Sequence, residues 1–310
     1  MSGITVVIPL YQGARFIGET LDSLAAQTRP LVEVVVVNDG STDDGPQIAR
    51  AHPLAPRVIE QPNRGVAVAR NHGAVVAASA YVAFLDQDDL WFPYRHERIA
   101  AFLERTPLGA LMTTEQSFYL ADDEVALDVA GEQLHHTANF PRVTDVAQLL
   151  RHAPPDEPPC IARTLDTAAL LTGPAAVTCP YVFDRELLLA NGGFPIAVRS
   201  IDDYLALIAV SRATPIVVLD EPSVLYRIHP ASAAVTANNW ALPLLAAGTA
   251  LRLGGNVGDG PVLEGFWKHW LIALARRNLL DALAVSRLLG GDRRDALGAM
   301  MAWVRAKLHP

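Results

Sequence analysis

Three carboxylates fall within four residues at Asp86-Gln87-Asp88-Asp89, directly after the apolar run Tyr81-Val82-Ala83-Phe84-Leu85. Charges this close repel one another and are hard to dehydrate, so a fold gains from them only in water or against a cation. An apolar run that ends in a polar turn predicts a buried strand delivering its acids to the carboxyl end of a sheet, where open α/β folds bind ligands. A divalent metal is the natural partner there, and a purely structural acidic turn is the alternative. A second acidic pair, Asp202-Asp203, opens the helical pattern running to Val210. Acids there are favoured by the positive end of that helix. Asp39 stands in the turn Asn38-Asp39-Gly40-Ser41-Thr42-Asp43, as a turn former or as an acceptor for a ligand N–H.

The elements that must position these residues are legible in the hydrophobic pattern. Ile4 to Leu10 is a strand whose Pro9 predicts an exit into a loop rather than a central ladder position. Ala14 to Ala26 is helical by spacing and Val32 to Val37 is a β-branched run, so strand, helix and strand form a parallel α/β unit. A short helix follows over Asp43 to Ala51, with Ser41 or Thr42 near its cap. Val58-Ile59 is a short strand, Ala67 to Ala78 an alanine-rich helix able to approach a sheet closely, and Tyr81 to Leu85 the next strand. Beyond the acids, Phe92 to Leu103 is helical and Leu108 to Thr114 a strand. Ser117 to Gly173 is poorly patterned, with a helix over Val143 to Arg151 and a loop at Pro154 to Pro159. Val177 to Phe183 predicts a strand, Arg185 to Ala190 a helical turn stopped at Asn191-Gly192-Gly193, and Ile216 to Leu219 a short strand. From Trp240 onward the pattern is largely helical.

The 310 residues are 51% hydrophobic and 19% charged, which argues for a folded chain and against disorder. A net charge of -8 argues against nucleic acid as a partner. No basic and apolar leader precedes Ile4, and no run reaches about 18 uninterrupted apolar residues, so neither secretion nor a spanning helix is expected. Cys160 and Cys179 lack metal spacing and are expected to be ordinary buried thiols.

The segments Pro9-Leu10-Tyr11, Val34 to Asp43 (VVVVNDGSTD), Asn63 to Gly73 (NRGVAVARNHG) and Phe84 to Asp89 (FLDQDD) occur in that order. They are followed by Gly192-Gly193-Phe194, Asp202-Asp203 and Tyr226-Arg227-Ile228-His229. Together they resemble family 2 of the inverting nucleotide-sugar glycosyltransferases, over about residues 3 to 230 with 117 to 173 the weakest part. The resemblance implies an α/β GT-A nucleotide-diphospho-sugar transferase fold, with a Rossmann-like mixed sheet. It implies a catalytic domain over 1–235, its donor half about 1–115 and its acceptor half about 116–235, with a helical C-terminal extension over 236–310. It also implies a nucleotide-diphosphate sugar donor, expected to be a UDP-sugar, a hydroxyl acceptor on a glycan, lipid or small molecule, and Mn2+ or Mg2+.

Carried onto this chain, the family pattern makes Asp203 the base and Asp202 its acceptor-side neighbour, standing where the family more often has Glu. Asp88 is the expected metal ligand, with Asp86 on the ribose or the metal shell and His229 on the metal or diphosphate. Pro9, Tyr11, Asp39, Arg70 and Arg227 are expected to line the donor, Asp39 at the base and Arg227 against the diphosphate; Arg64 has a looser case. Asp89 is expected to bind sugar hydroxyls or cap the following segment. Gln12 replaces a more usual Asn, which shifts its amide by one methylene. A nucleotidyltransferase, or a noncatalytic binding protein on the same fold, are the alternatives. His135-His136 is assigned no metal role. In the tail, Phe266, Trp267, Trp270 and Leu271 stand beside Lys268, Arg276 and Arg277. They fit packing on the catalytic domain, an oligomer surface, or a peripheral contact at the inner membrane face of a cytoplasmic protein.

Overall fold

The computed structural model describes residues 3–123, 142–151, 153–172, 179–196 and 202–231. The chain opens with β1 (Ile4–Leu10), α1 (Ile17–Ala25), β2 (Glu33–Asn38), α2 (Gly45–Ala51), β3 (Arg57–Glu60), α3 (Val66–Val76) and β4 (Tyr81–Phe84). β1 pairs in parallel with both β2 and β4, as the alternation of apolar strands and amphipathic helices requires. Every residue of β1 is buried, and α1 covers one face of this sheet with Ile17, Leu21 and Leu24.

The second half continues with β5 (Leu90–Trp91), α4 (Arg95–Arg105), β6 (Ala110–Leu120), β7 (Arg142–Val143), α5 (Val146–Leu149), β8 (Cys160–Leu165) and α6 (Thr167–Thr172). It ends in β9 (Tyr181–Asp184), α7 (Arg185–Ala190), α8 (Asp202–Ser211) and β10 (Ile216–Arg227). The mixed sheet runs β3-β2-β1-β4-β9-β6-β10-β5, with β7 on β6 and β8 on β10. β9 lies antiparallel between β4 and β6 and so joins the two halves.

Several expected boundaries move, each for a local reason. Pro9 sits inside the central strand, where β2 pairs with it through Val37. On the other side the β4 register ends at Val7↔Phe84, so the missing N–H of Pro9 faces an edge that β4 has already left. The short strand expected at Ile216 to Leu219 continues to Arg227, and the pairing of β10 with β6 shifts register on both sides of Pro222 to accommodate it. The strand expected to stop at Thr114 runs on to Leu120, because β10 extends alongside it. Leu90 and Trp91 pair with β10 as β5, and Pro93 delays α4 to Arg95. α2 begins at Gly45, whose N–H is accepted by Asp43 Oδ1 at 3.1 Å, rather than by Ser41 or Thr42. Cys160 is exposed, against expectation, whereas Cys179 is buried. The strand start expected at Val177, His135-His136 and the helical tail from Trp240 lie outside the described residues.

Two compact units divide the chain, one of residues 1–167 and 175–237, the other of 168–174 and 238–310. The first holds the whole sheet; of the second only residues 168–172 are described. Among the described residues no helix is long and apolar enough to cross a membrane.

α3 approaches β1 so closely that a Cβ on Gly73 would stand 2.2 Å from Val7 Cγ1. Both partners lie in the packed interior, so neither yields easily. Gly73→Ala is therefore expected to destabilise the fold by about 1–3 kcal/mol in urea titration. An unchanged midpoint would show that α3 can lift without cost.

Candidate active site

The last ladder bond beside β4 runs from Leu85 N to Val7 O at 3.0 Å, and the chain then turns through Asp86 to Asp89, closed by Asp89 N donating to Asp86 O at 3.1 Å. Asp86 Oδ1 accepts from Arg70 NH2 at 2.7 Å. The same guanidinium donates through NH1 to Asp202 Oδ2, also at 2.7 Å. One arginine on α3 thus ties the turn after β4 to the start of α8, the latter 132 residues beyond the arginine in sequence. Arg70 and Asp202 are both buried, and the guanidinium lies over the Phe194 ring at 5.6 Å. Burial alone would lower the Arg70 pKa, but Asp86, Asp202 and Asp203 together raise it above its ordinary value. For Asp86 burial outweighs the pull of Arg70 and pushes the carboxyl up.

Asp88 points the other way. Its Oδ2 lies 3.0 Å from His229 Nε2, and the imidazole packs against the Phe16 ring at 4.5 Å. Arg227 supports this arrangement from behind. Its backbone N donates to Asp89 Oδ1 and its Nε to the Asp88 carbonyl, each at 2.9 Å, and its NH2 to Glu19 Oε2 at 2.5 Å. The side chain is 1% exposed, with Phe16 and Phe118 beside it. The guanidinium of Arg227, expected against a diphosphate, is here bonded to Glu19 on α1.

Asp89 is equally enclosed. Its Oδ2 accepts from the Cys179 thiol at 2.8 Å, and that sulfur accepts from Asp86 N at 3.3 Å. Asp89 therefore anchors the turn from within, both its oxygens engaged by the protein. Burial, then the neighbouring acids, pushes both the Asp89 carboxyl and the Cys179 thiol well up. Asp86, Asp89 and Cys179 offer donor atoms within 4.8 Å of one another, a grouping that could hold a metal. A protonated thiol bonded to a buried carboxyl is a poor ligand set, however. Asp88, partly open to solvent beside His229, presents a better one. Cys179 was missed because a single cysteine carries no spacing signal.

At the other end, Asp39 accepts three bonds, from Gln61 Nε2 at 2.7 Å and from Arg64 N and Gly65 N at 2.8 Å each. Gln61 Oε1 in turn lies 2.8 Å from His72 Nδ1. The carboxylate thus holds the Asn63–Gly65 loop in place, and Arg64 enters through its backbone. Tyr11 is 49% exposed, with its N and O clasped by the Gln87 amide at 2.8 and 3.0 Å. The Gln12 amide spans to Thr42, accepting from its N at 2.8 Å and donating to its Oγ1 at 3.1 Å, which gives the longer side chain a local use. Asn71 exchanges bonds of 2.7 and 2.8 Å with the backbone of Phe194. Only a glycine fits at Gly193 (φ +63°), since a Cβ would stand 2.3 Å from Asn71 Oδ1.

Asp203 is half-buried at the first turn of α8, its Oδ1 accepting from Tyr204 N at 2.7 Å. Beside it in electrostatic terms is Glu115 on β6, which the sequence reading passed over. Burial first, and the Asp203 charge second, push Glu115 up to about 7. The only trace in the sequence is the polar run Thr113-Thr114-Glu115-Gln116-Ser117 between the apolar ends of the strand.

Residues 5–136 match the family described as Glycosyl transferase family 2, the family whose motifs the chain resembles. "Uncharacterized glycosyltransferase YibD" of Escherichia coli is 39% identical over 100 residues, 31% of this chain and 29% of that one. "Uncharacterized glycosyltransferase alr2836" of Nostoc is 35% identical over 113 residues, 35% of each chain. The matches therefore span about a third of these curated relatives. Among solved structures, S. aureus TarS 1-349 in complex with UDP superposes with a TM-score of 0.55 at 21% identity, over 88% of this chain and 72% of that one. The mannosyltransferase PcManGT of Pyrobaculum calidifontis, in complex with GDP-Man and Mn2+, gives 0.51 at 21%, over 97% and 79%. These likenesses show the fold, which is that of the GT-A glycosyltransferases.

Glu115 binds its proton more readily folded than unfolded, so stability falls as pH rises from about 4.5 toward 7. Asp203 and Tyr181 are the titratable groups whose fields it shares. Glu115→Gln should remove that loss, gaining about 1–3 kcal/mol over the parent at pH 8 and little at pH 4. Parallel pH–stability curves for the two proteins would contradict the assignment.

Proposed function

We propose that this chain is an inverting glycosyltransferase that moves a sugar from a nucleotide-diphosphate donor, a UDP-sugar, to an acceptor hydroxyl. The observation that carries the reading is the guanidinium of Arg70 bonded to both Asp86 and Asp202, which puts the acids after β4 and the acids of α8 in one site. A transferase needs this, because leaving-group stabilisation and base catalysis must act on the same anomeric carbon. The bound nucleotides of the TarS and PcManGT structures agree with a nucleotide-sugar donor.

In this proposal Asp88 and His229, with Asp86 nearby, hold a divalent cation. The donor set of carboxylates and one imidazole suits Mn2+ better than Mg2+, which favours oxygen ligands throughout. When bound, the ion neutralises charge gathering on the departing diphosphate. The chain's own residues do the rest. Asp39 has one lone-pair direction left, on Oδ2, for a base N–H, and the exposed Tyr11 ring lies against the base. Pro9 lies where the ladder on the β4 side has ended, two residues before Tyr11. Asp203 accepts the acceptor's hydroxyl proton. Asp202, neutralised by Arg70, orients Asp203 rather than binding the acceptor. Arg227 and Glu19 hold the Asp88 carbonyl and thereby the direction of its carboxylate. The acceptor is a glycan, a lipid-linked sugar or a small molecule.

Asp203→Asn is expected to bind UDP and Mn2+ as the parent does and to lose about 10²–10⁴-fold in transfer. Near-parental turnover would remove Asp203 as the base. Asp88→Ala should weaken Mn2+-dependent UDP binding by at least about tenfold in calorimetry while leaving the melting temperature close to the parent's. An unaltered titration would move the ion elsewhere.

A further inference from the structure

The β6–β9 register ends at Met112↔Tyr181, and after Thr113 N donates to Pro180 O at 3.3 Å the strand β6 runs on without β9 beside it. Glu115 is half-buried in this stretch, between exposed Thr114 and Gln116. Its Oε2 is shut off from solvent and has no hydrogen-bond partner. Every acid so far placed in the site has a protein donor: Arg70 for Asp86 and Asp202, Cys179 and Arg227 for Asp89, His229 for Asp88, and the Tyr204 amide for Asp203. A dehydrated carboxyl with no such donor weakens the fold, and side chains of this kind concentrate where a ligand supplies the missing partner. The Asp203 charge is felt at Glu115, and both act on Tyr181, so the two carboxyls lie near one another.

We propose that Glu115 is a second acceptor-side contact, binding a hydroxyl adjacent to the one Asp203 deprotonates, so that the acceptor is a sugar or polyol with neighbouring hydroxyls rather than a lone alcohol. This rests on the transferase reading and adds a subsite to it. The carboxyl near neutrality is available both to accept from such a hydroxyl and to donate to it. Water, when it attacks the donor in place of the acceptor, has no second hydroxyl and makes no use of Glu115.

The test compares full-length parent and Glu115→Gln with Mn2+ and radiolabelled UDP-glucose or UDP-N-acetylglucosamine. Label is followed into water and into added D-glucose, N-acetylglucosamine or glycerol. Transfer to the polyols should fall about tenfold or more relative to donor hydrolysis, through acceptor KM, while the melting temperature at pH 8 rises. An unchanged ratio of transfer to hydrolysis overturns the proposal, as does a lowered melting temperature with both rates lost, which would make Glu115 a structural residue. Glu115→Asp, which keeps the carboxyl but withdraws it by one methylene, should raise acceptor KM alone; an unaltered KM overturns the proposal independently of how the Gln variant folds. A parent that transfers nothing sinks the transferase reading itself, and this subsite with it, whereas a parent that transfers and a Glu115→Gln protein that matches it sink the subsite alone.

Discussion

The guanidinium of Arg70 is almost wholly removed from water, and a charge in that position is tolerable only against opposite charge at hydrogen-bond distance. Asp86 and Asp202 supply it from two different parts of the chain, each at 2.7 Å. The fork of an arginine is rigid and planar, so these two bonds set the separation of the turn after β4 and the start of α8. The packing agrees with the electrostatics: Phe194 lies under the guanidinium, and Asn71, the next residue on α3, clasps the Phe194 backbone. A single helix thereby holds both acidic groups.

Around that fixed point the acids take different tasks. Asp86 and Asp202 are spent on Arg70, and Asp89 is spent inside the fold on Cys179 and the Arg227 amide. Asp88, Asp203 and Glu115 are each only partly buried, and the proposed chemistry falls on them. The repulsion among clustered carboxylates is thus relieved mostly by the protein.

The acidic turn and its strand were legible because an apolar run ending in Asp86-Gln87-Asp88-Asp89 has few structural uses, and the first strands were legible from their β-branched runs. The partner of Arg70 was not, because helical spacing shows that residue 70 lies on α3 without showing what stands opposite it. The partner of Arg227 was hidden for the same reason: the Tyr226–His229 segment shows an arginine near the site, but not that Glu19 on α1 stands beside it. The strand Ile4–Leu10 has its expected bounds, but Pro9 keeps a ladder position against β2 because its missing N–H is harmless where β4 has already ended. Cys179 and Glu115 carry no spacing pattern, and their importance comes from burial, which only the fold supplies. Family resemblance located the acids; the structure separates those that hold the site from those open to a ligand.

A crystal structure of the protein with UDP and Mn2+ tests the central claim most directly. The account predicts an ion bound by Asp88 and His229, a diphosphate upon it, and Asp203 across the sugar position, with Arg70 still joining Asp86 to Asp202. An ion bound elsewhere, or a nucleotide on a face of the sheet remote from Asp203, would contradict it.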